Sequence, residues 1–215
     1  VLSKVFEKCL LSLFNNWLAS SDLQFGFKAG LGCRDAIFTA RTVSNFFTSR
    51  DSTVNICALD LSKAFDKVNH FKLFCKMMER KTPRCFISVM LNWYGKCNAC
   101  VRWGSVLSKQ FPVTSGVRQG GVLSPFLFAV YIDNFVLKLR QSGIGCNIGD
   151  IFLGCVLYAD DILLLSRSFC DLQKMLDICV AEATDIDMCF NVKKSFFLRC
   201  GPRYKAACSD LFIKD

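Results

Sequence analysis

Histidine is nearly absent from this sequence, which has a single one, His70, among its 215 residues. No G-x-S-x-G motif occurs in it either. Because a Ser-His-Asp hydrolase needs a histidine as general base beside a nucleophilic serine, these two absences exclude that class of enzyme. His70 itself is expected on the surface of a helix, away from any chemistry.

Long apolar runs are missing as well. No apolar stretch reaches the ~18 residues that a membrane-spanning helix needs. The opening segment, VLSKVFEKCLLSLF, carries Lys4, Glu7 and Lys8 and lacks a small-residue cleavage site, which argues against a signal peptide. We therefore expect an intracellular protein, in nucleus and cytoplasm, that is not secreted and has no membrane partner.

Paired cysteine motifs are scarce although the chain has 14 cysteines. Only Cys97 and Cys100 form a C-x-x-C, and no second pair or histidine follows at zinc-finger spacing, so a zinc site is the less favoured alternative. We interpret the cysteines as small buried hydrophobic residues in a reducing compartment, without disulfide partners. Examples from apolar segments are Cys57, Cys155, Cys179 and Cys189.

The composition indicates a globular chain, since 52% of the residues are hydrophobic and 21% are charged. Its length suits one sizeable core, or one core with a smaller lobe. The formal net charge of +9 is compatible with a polyanionic partner and equally with an ordinary basic surface.

Two stretches give the first structural expectations. TVNICALD (53–60) predicts an apolar strand, and helical periodicity follows over 62–81. CVRWGSVLSKQFPVT (100–114) predicts a hairpin that turns at Gly104 and Ser105. Because strands and helices do not alternate regularly, we predict an α+β domain, with helices packed on one face of an antiparallel sheet.

Two carboxylates lie side by side within an apolar run, CVLYADDILLLS (155–166), which predicts a β-hairpin with Asp160 and Asp161 at its tip. Asp60 ends the strand over 53–60. If the two elements are neighbours in one sheet, three carboxylates converge, and such close like charges stay ionised only when a cation holds them. Mg²⁺ is the natural occupant because it prefers oxygen ligands and takes others from substrate phosphates. The alternative is a solvated hairpin turn, where aspartate is common.

The chain resembles the reverse transcriptases of non-LTR (LINE-type) retrotransposons in five ordered motifs. They are QFGFKAGLGCRDAI (24–37), ALDLSKAFDKVNH (58–70), SGVRQGGVLSP (115–125), YADD (158–161) and FNVKKS (190–195). The first is similar to a fingers motif and the other four to palm motifs A to D. The resemblance implies a right-hand polymerase palm with partial helical fingers and no thumb.

The resemblance also implies a division of the chain. Residues 1–52 would be partial fingers, 53–80 the palm with motif A, and 81–114 a fingers/palm connection with the hairpin. Residues 115–215 would be the palm with motifs B, C and D, ending before a thumb. We therefore expect the isolated chain to have little processive activity.

Several catalytic roles are implied by the same resemblance. Asp60, Asp160, Asp161 and the backbone carbonyl of Leu61 would hold two Mg²⁺ ions, for which Mn²⁺ can substitute. Lys194 would give a proton to the pyrophosphate leaving group, with Lys193 as the alternative register.

The implied substrate contacts lie in four of the motifs. Phe65 would be a bulky gate that collides with a 2′-OH and so favours deoxynucleotides; the alternative is an ordinary core residue. Tyr158 would lie near the primer end, or alternatively be a satisfied core tyrosine. The remaining substrate contacts would be Lys28, Arg118, Gln119 and Gly120, the last three in a turn that could also be an ordinary Gly-rich one.

The function implied is RNA-directed DNA polymerase, a nucleotidyl transfer from dNTP to a primer 3′-OH on an RNA template. One alternative is an RNA-dependent RNA polymerase, which shares the palm aspartates but usually has a small or acidic residue at position 65. The other is an inactive retroelement remnant that binds nucleic acid only.

Overall fold

The computed structural model describes residues 2–213. Its helices, in chain order, are α1 (Leu2–Phe14), α2 (Cys33–Thr48), α3 (His70–Glu79), α4 (Arg84–Gly95), α5 (Ser124–Ile132), α6 (Asn134–Gln141) and α7 (Phe169–Asp185). Its strands are β1 (Val54–Asp60), β2 (Asn98–Ala99), β3 (Arg102–Trp103), β4 (Val106–Leu107), β5 (Phe111–Pro112), β6 (Asn147–Ile148), β7 (Ile151–Phe152), β8 (Cys155–Tyr158), β9 (Asp161–Ser166) and β10 (Phe196–Cys200). Two single 3₁₀ turns, Asn15–Trp17 and Val192–Lys194, complete the regular elements of this part of the chain.

The chain forms two compact units. One consists of the N-terminal stretch through Ala19 together with Lys63–Tyr131, and the other of Ser20–Ser62 together with the stretch from Ile132 onward. These boundaries differ from those of the predicted fingers, palm and connecting segments. The assignment of fingers and palm stays a prediction.

The second unit is built on an antiparallel sheet of order β10-β1-β9-β8. Successive residues of its strands point to opposite faces, and both faces carry apolar side chains. This is expected of a sheet that is covered on both sides. On one face, Val54 and Ile56 of β1 join a core cluster with Val43 and Phe47 of α2. On the other, α7 contacts β1 and β9.

The α+β class predicted from the sequence is confirmed, since helices surround an antiparallel sheet. The prediction of helices on one face describes α7 and the helix packed on it, α6. The other face is covered in addition by α2, whose buried Val43 and Phe47 fit the alternating apolar residues of β1 and β8.

The first unit contains α1, α3 and α4 and the predicted hairpin. Strand β3 pairs antiparallel with β4, and the turn between them is formed by Gly104 and Ser105 as predicted. The helix predicted over 62–81 is shorter, because α3 begins only at His70. The preceding residue, Asn69, caps α3 by accepting a hydrogen bond from the Lys72 amide at 3.2 Å.

The cysteines differ in burial. Cys57, Cys146, Cys155 and Cys179 are buried, which confirms the prediction of burial for these four. Half of the fourteen are exposed, Cys189 among them, so that interpretation is wrong for Cys189. Between residues 2 and 213, no helix combines the length and the apolar character needed to cross a membrane.

Candidate functional site

Strand pairing brings the predicted aspartates together. In the antiparallel register of β1 and β9, Asp60 lies directly opposite Asp161. Strands β8 and β9 pair from Tyr158 and Asp161 onward, so Ala159 and Asp160 form a two-residue turn. The apolar strand and the hairpin are therefore neighbours, which is the condition under which the sequence predicts converging carboxylates.

The three carboxylates repel one another. Partial burial, and next the charges of Asp160 and Asp60, raise the pKa of Asp161, while the nearby Lys194 ammonium acts in the opposite direction. A site with this excess of negative charge attracts a cation, and its oxygen donors suit a hard divalent ion.

The protein ligands of such an ion are incomplete in this structure. Over residues 2–213, no three Asp, Glu, His or Cys side chains are grouped closely enough to hold a metal ion. Mg²⁺ characteristically binds through one or two carboxylates, keeps several waters and takes further oxygens from substrate phosphates. The pair Asp60 and Asp161, with Asp160 beside it, fits that manner of binding.

Lys194 lies at the edge of this acidic group. Its Nζ is 3.9 Å from Asp60 Oδ2, and its side chain is 68% exposed. Two backbone hydrogen bonds hold its turn: the Asn191 amide donates to the Asp60 carbonyl at 2.8 Å, and the Lys194 amide donates to the Asn191 carbonyl at 3.0 Å. Lys194 is thus an exposed cation on a turn that backbone hydrogen bonds hold in place.

Leu61 follows Asp60 and forms an isolated antiparallel bridge with Phe190. Its side chain is buried. The next residue, Ser62, donates its amide to the Cys189 carbonyl at 2.9 Å. The segment after β1 is therefore tied to the segment that carries Lys194.

Tyr158, Asp60 and Asp161 open onto a cavity of ≈ 710 Å³ in the second unit. One wall is the α2 face with Ile37 and Ala40, and Arg41 adds a positive charge. Tyr158 is half-buried and packs against the core cluster. It is thus packed and also lines an open cavity, and its place near a primer end stays a prediction.

Lys28 makes a local contact in this structure. Its ammonium donates to the Ser21 carbonyl. Burial lowers the pKa of Lys28, while Asp133 and Asp22 favour its charged form. Its predicted contact with a triphosphate would require exchanging the carbonyl for a phosphate oxygen.

Phe65 lies in the first unit, in a turn rather than on a helix. Its half-buried ring stacks on Phe128 of α5, with centroids 4.7 Å apart and planes 18° from parallel. The Val117 amide donates to the Phe65 carbonyl at 2.8 Å. The turn is thus held both by the stacked Phe65 ring and by a backbone hydrogen bond, and the two contacts fix the position of Phe65.

Gly116 also helps to hold the turn that contains Phe65. Its amide donates to the Val68 carbonyl at 2.8 Å, and an added Cβ would lie 2.9 Å from the Asp66 carbonyl oxygen. His70 is half-buried, with Nε2 2.8 Å from the Gly116 carbonyl and its ring against Tyr94. The expectation of a surface histidine was wrong, because His70 joins these segments.

The turn that follows contains Arg118, Gln119 and Gly120. Gln119 donates to Asp66 Oδ1 at 3.0 Å. Gly120 has φ +76° with open space where a side chain would lie. Arg118 is exposed and 4.0 Å from Glu7.

Sequence reasoning overlooked two buried polar side chains. Glu7 accepts a hydrogen bond from the Leu123 amide at 3.0 Å and another from Val122, and so holds the end of the turn before α5. Gln24 contacts the backbone of Ala159 in the turn between β8 and β9. Gln24 is the first residue of the motif over 24–37, in which the resemblance implies a substrate contact for Lys28 only.

Known proteins resemble this chain in sequence and in fold. A family model described as "Reverse transcriptase (RNA-dependent DNA polymerase)" matches residues 1–206. The Pol polyprotein of the type-2 retrotransposable element R2DM of Drosophila melanogaster is 26% identical over 211 residues, 98% of this chain and 20% of that protein. The RNA-directed DNA polymerase of the mobile element jockey of Drosophila funebris is 27% identical over 86% of this chain and 19% of that protein.

A solved structure shows the same fold. Apo telomerase from Candida tropicalis, truncated from its C-terminal domain, superposes with a TM-score of 0.70 at 16% identity, covering 97% of this chain and 42% of that one. At this identity the likeness concerns the fold alone. The chain spans only 20% and 19% of the two curated relatives.

Proposed function

The chain belongs to the reverse transcriptase (RNA-dependent DNA polymerase) family, with relatives in non-LTR retrotransposons, and we propose that it catalyses RNA-templated DNA synthesis. In this reaction the primer 3′-hydroxyl loses its proton to the solvent, and its oxygen forms a bond with the α-phosphorus of a dNTP. The bond from that phosphorus to the bridging oxygen breaks, and pyrophosphate leaves. One observation carries the proposal: Asp60 lies opposite Asp161, next to Asp160 in the hairpin turn.

The cofactor of the proposed reaction is Mg²⁺, two ions, with Mn²⁺ as a substitute. Reverse transcriptases in general use a divalent metal. Here Asp60, Asp160, Asp161 and the carbonyl of Leu61 would hold it. When bound, the ions supply activation of the primer hydroxyl and neutralisation of phosphate charge. Without them, the Lys194 ammonium acts against the mutual repulsion at Asp161.

Lys194 is the proposed proton donor to the leaving pyrophosphate. Its Nζ lies 3.9 Å from Asp60 Oδ2, and its exposed end leaves room for a triphosphate. Transfer of a proton to the leaving oxygen prevents charge from accumulating there.

The substrate contacts proposed for the first unit lie in the turn that contains Phe65 and in the turn with Gln119 and Gly120. Phe65, stacked on Phe128, would exclude a 2′-OH by its bulk. Gln119 and Gly120 would meet the nucleotide and template, because the bare Gly120 backbone leaves space for close approach. Arg118, Lys28 and Tyr158 complete the proposed contacts.

The proposed partners are an RNA template, a DNA primer and dNTPs. A net charge of +9 favours such polyanions. The proposed place of this activity is inside the cell, in nucleus and cytoplasm.

Primer extension tests the proposal against its alternatives. The full chain is incubated with a primed RNA template, Mg²⁺ and either dNTPs or rNTPs. Extension with dNTPs supports the proposal. Extension with rNTPs alone would indicate an RNA-dependent RNA polymerase, and template binding without extension under either condition would indicate an inactive remnant.

A further inference from the structure

Gln24 makes three hydrogen bonds with its side-chain amide. Its Oε1 accepts from the Gly26 amide at 2.8 Å and from the Ala159 amide at 3.1 Å. Its Nε2 donates to the Ala159 carbonyl at 3.3 Å. The side chain of Gln24 therefore holds both polar backbone groups of Ala159, the residue that precedes Asp160.

The backbone of the Gln24 segment follows the same hairpin. The Phe25 amide donates to the Leu157 carbonyl, and the Leu157 amide donates to the Leu23 carbonyl, each at 2.8 Å. Gln24 and Leu157 form an isolated parallel bridge. The free edge of β8 is therefore covered up to the turn.

The turn itself needs support. Ala159 has φ +54°, a left-handed conformation that costs energy for any residue with a Cβ. Gly26 allows the close approach, since an added Cβ would lie 2.5 Å from the Ala159 nitrogen. Gln24 is only 1% exposed.

We propose that Gln24 is a positioning residue, which fixes the left-handed turn at Ala159 and through it the placement of Asp160 and Asp161. This inference rests on the proposed polymerase function. Gln24 does not touch the reacting atoms. It acts because a glutamine amide offers an acceptor and a donor together, which match the N–H and C=O of one residue.

The test compares Gln24→Met with Asn55→Leu. Both changes replace a buried amide by an apolar side chain of similar size in the second unit. Asn55 is 3% exposed and donates to the Ser166 and Arg167 carbonyls, at the other end of β1 from Asp60. The pair separates loss of a buried amide in general from loss of this particular one.

The first measurement is amide hydrogen exchange in the chain without metal or substrate. In Gln24→Met we expect the Ala159 amide to exchange about 10-fold faster than in the native chain, because it loses its acceptor. Asn55→Leu should leave exchange at Ala159 unchanged relative to the global stability. Equal exchange at Ala159 in both variants would overturn the proposal.

The second measurement is single-nucleotide primer extension. Gln24→Met should lower kcat about 10- to 100-fold, because small displacements of catalytic groups are costly, with the KM for dNTP within about 2-fold. Asn55→Leu should keep the native kcat at temperatures where it is folded. An unchanged kcat in Gln24→Met would overturn the proposal.

Two further outcomes are decided by the same design. If the native chain does not extend primers, the proposed function fails, and hydrogen exchange alone still decides whether Gln24 positions the turn. If Gln24→Met does not fold, Gln24→Asn replaces it. That side chain keeps a buried amide but is one methylene shorter, so it withdraws the amide from the Ala159 backbone; a fall in kcat supports the proposal and none overturns it.

Discussion

At the residue scale, Asp60 is distinguished by the residues around it. It ends a strand of otherwise largely buried residues and faces Asp161 across the pair, an arrangement that is unfavourable between like charges. A cation removes this cost. The role proposed for the acidic group therefore gives a reason for an otherwise destabilising pair.

Asp60→Asn should reduce primer extension by about 10³-fold, comparable to the loss of a major electrostatic contact in a transition state. Template binding should remain, since it depends on positive charge elsewhere. Extension by single turnover and template affinity are both measured. Asp177→Asn, an exposed change on α7, is the matched control, and extension by Asp60→Asn at the native rate would remove Asp60 from the site.

Phe65→Ala should relax discrimination between dNTP and rNTP, because it removes the ring proposed to collide with a 2′-OH. We expect the dNTP:rNTP ratio of kcat/KM to fall about 10-fold or more. A 10-fold change is equivalent to about 1.4 kcal/mol. Phe71→Ala is the control, since its ring is largely exposed on α3. An unaltered ratio would make Phe65 an ordinary packing residue.

Two buried thiols should make the stability of the fold depend on pH. Burial raises the pKa of Cys57 to about 11 and that of Cys155 to about 12. Their contribution to stability is fully present below pH 9.0, the ordinary thiol pKa, and is lost as the pH rises through the folded values. Urea midpoints at pH 8 and pH 10 should therefore differ less in Cys57→Ala/Cys155→Ala than in the native chain.

The exposed Cys170 provides the control for this comparison. Cys170→Ala should reproduce the native difference between the two midpoints. A double variant with the same alkaline loss as the native chain would show that the two thiols do not titrate as their burial indicates.

At the scale of elements, the β8–β9 hairpin is held in place by the segment over residues 23–26, which covers its edge. The segment approaches so closely that only a residue without a side chain fits at position 26. The covering segment therefore restricts where the turn can lie.

Gly26→Ala should displace the turn, since its Cβ would come within 2.5 Å of the Ala159 nitrogen. We expect destabilisation of about 1–3 kcal/mol, as for other overpacked sites, and loss of extension beyond what the stability change explains. Gly95→Ala, where an added Cβ meets open space, is the control. A fully active, fully stable Gly26→Ala chain would contradict the close approach.

The elements themselves were largely predictable from the sequence. Strand β1 and the hairpin at 155–166 carry apolar runs bounded by polar residues, and both were located within a residue. The start of α3 was not, because helical periodicity continues through 62–69 while Lys63 adopts a left-handed φ of +50°. Gln24 could not be recognised, because its role depends on a backbone more than a hundred positions away.

At the scale of the whole molecule, the site residues fall into two compact units. The three aspartates, Leu61 and Lys194 belong to one unit, whereas Phe65 and the turn with Gln119 belong to the other. The boundary follows Ser62, three residues before Phe65. A continuous chain thus links the proposed metal ligands to the proposed sugar gate.

The proposed cation site is tested most directly by mapping it. Fe²⁺ substituted for Mg²⁺ in the full chain, with ascorbate and peroxide, cleaves the backbone beside its ligands. We predict cleavage at two places far apart in sequence, next to Asp60 and next to Asp160–Asp161, suppressed by excess Mg²⁺ and absent in Asp60→Asn. Cleavage at one of these places only, or elsewhere in the chain, would contradict a single cation site formed by the strand and the hairpin.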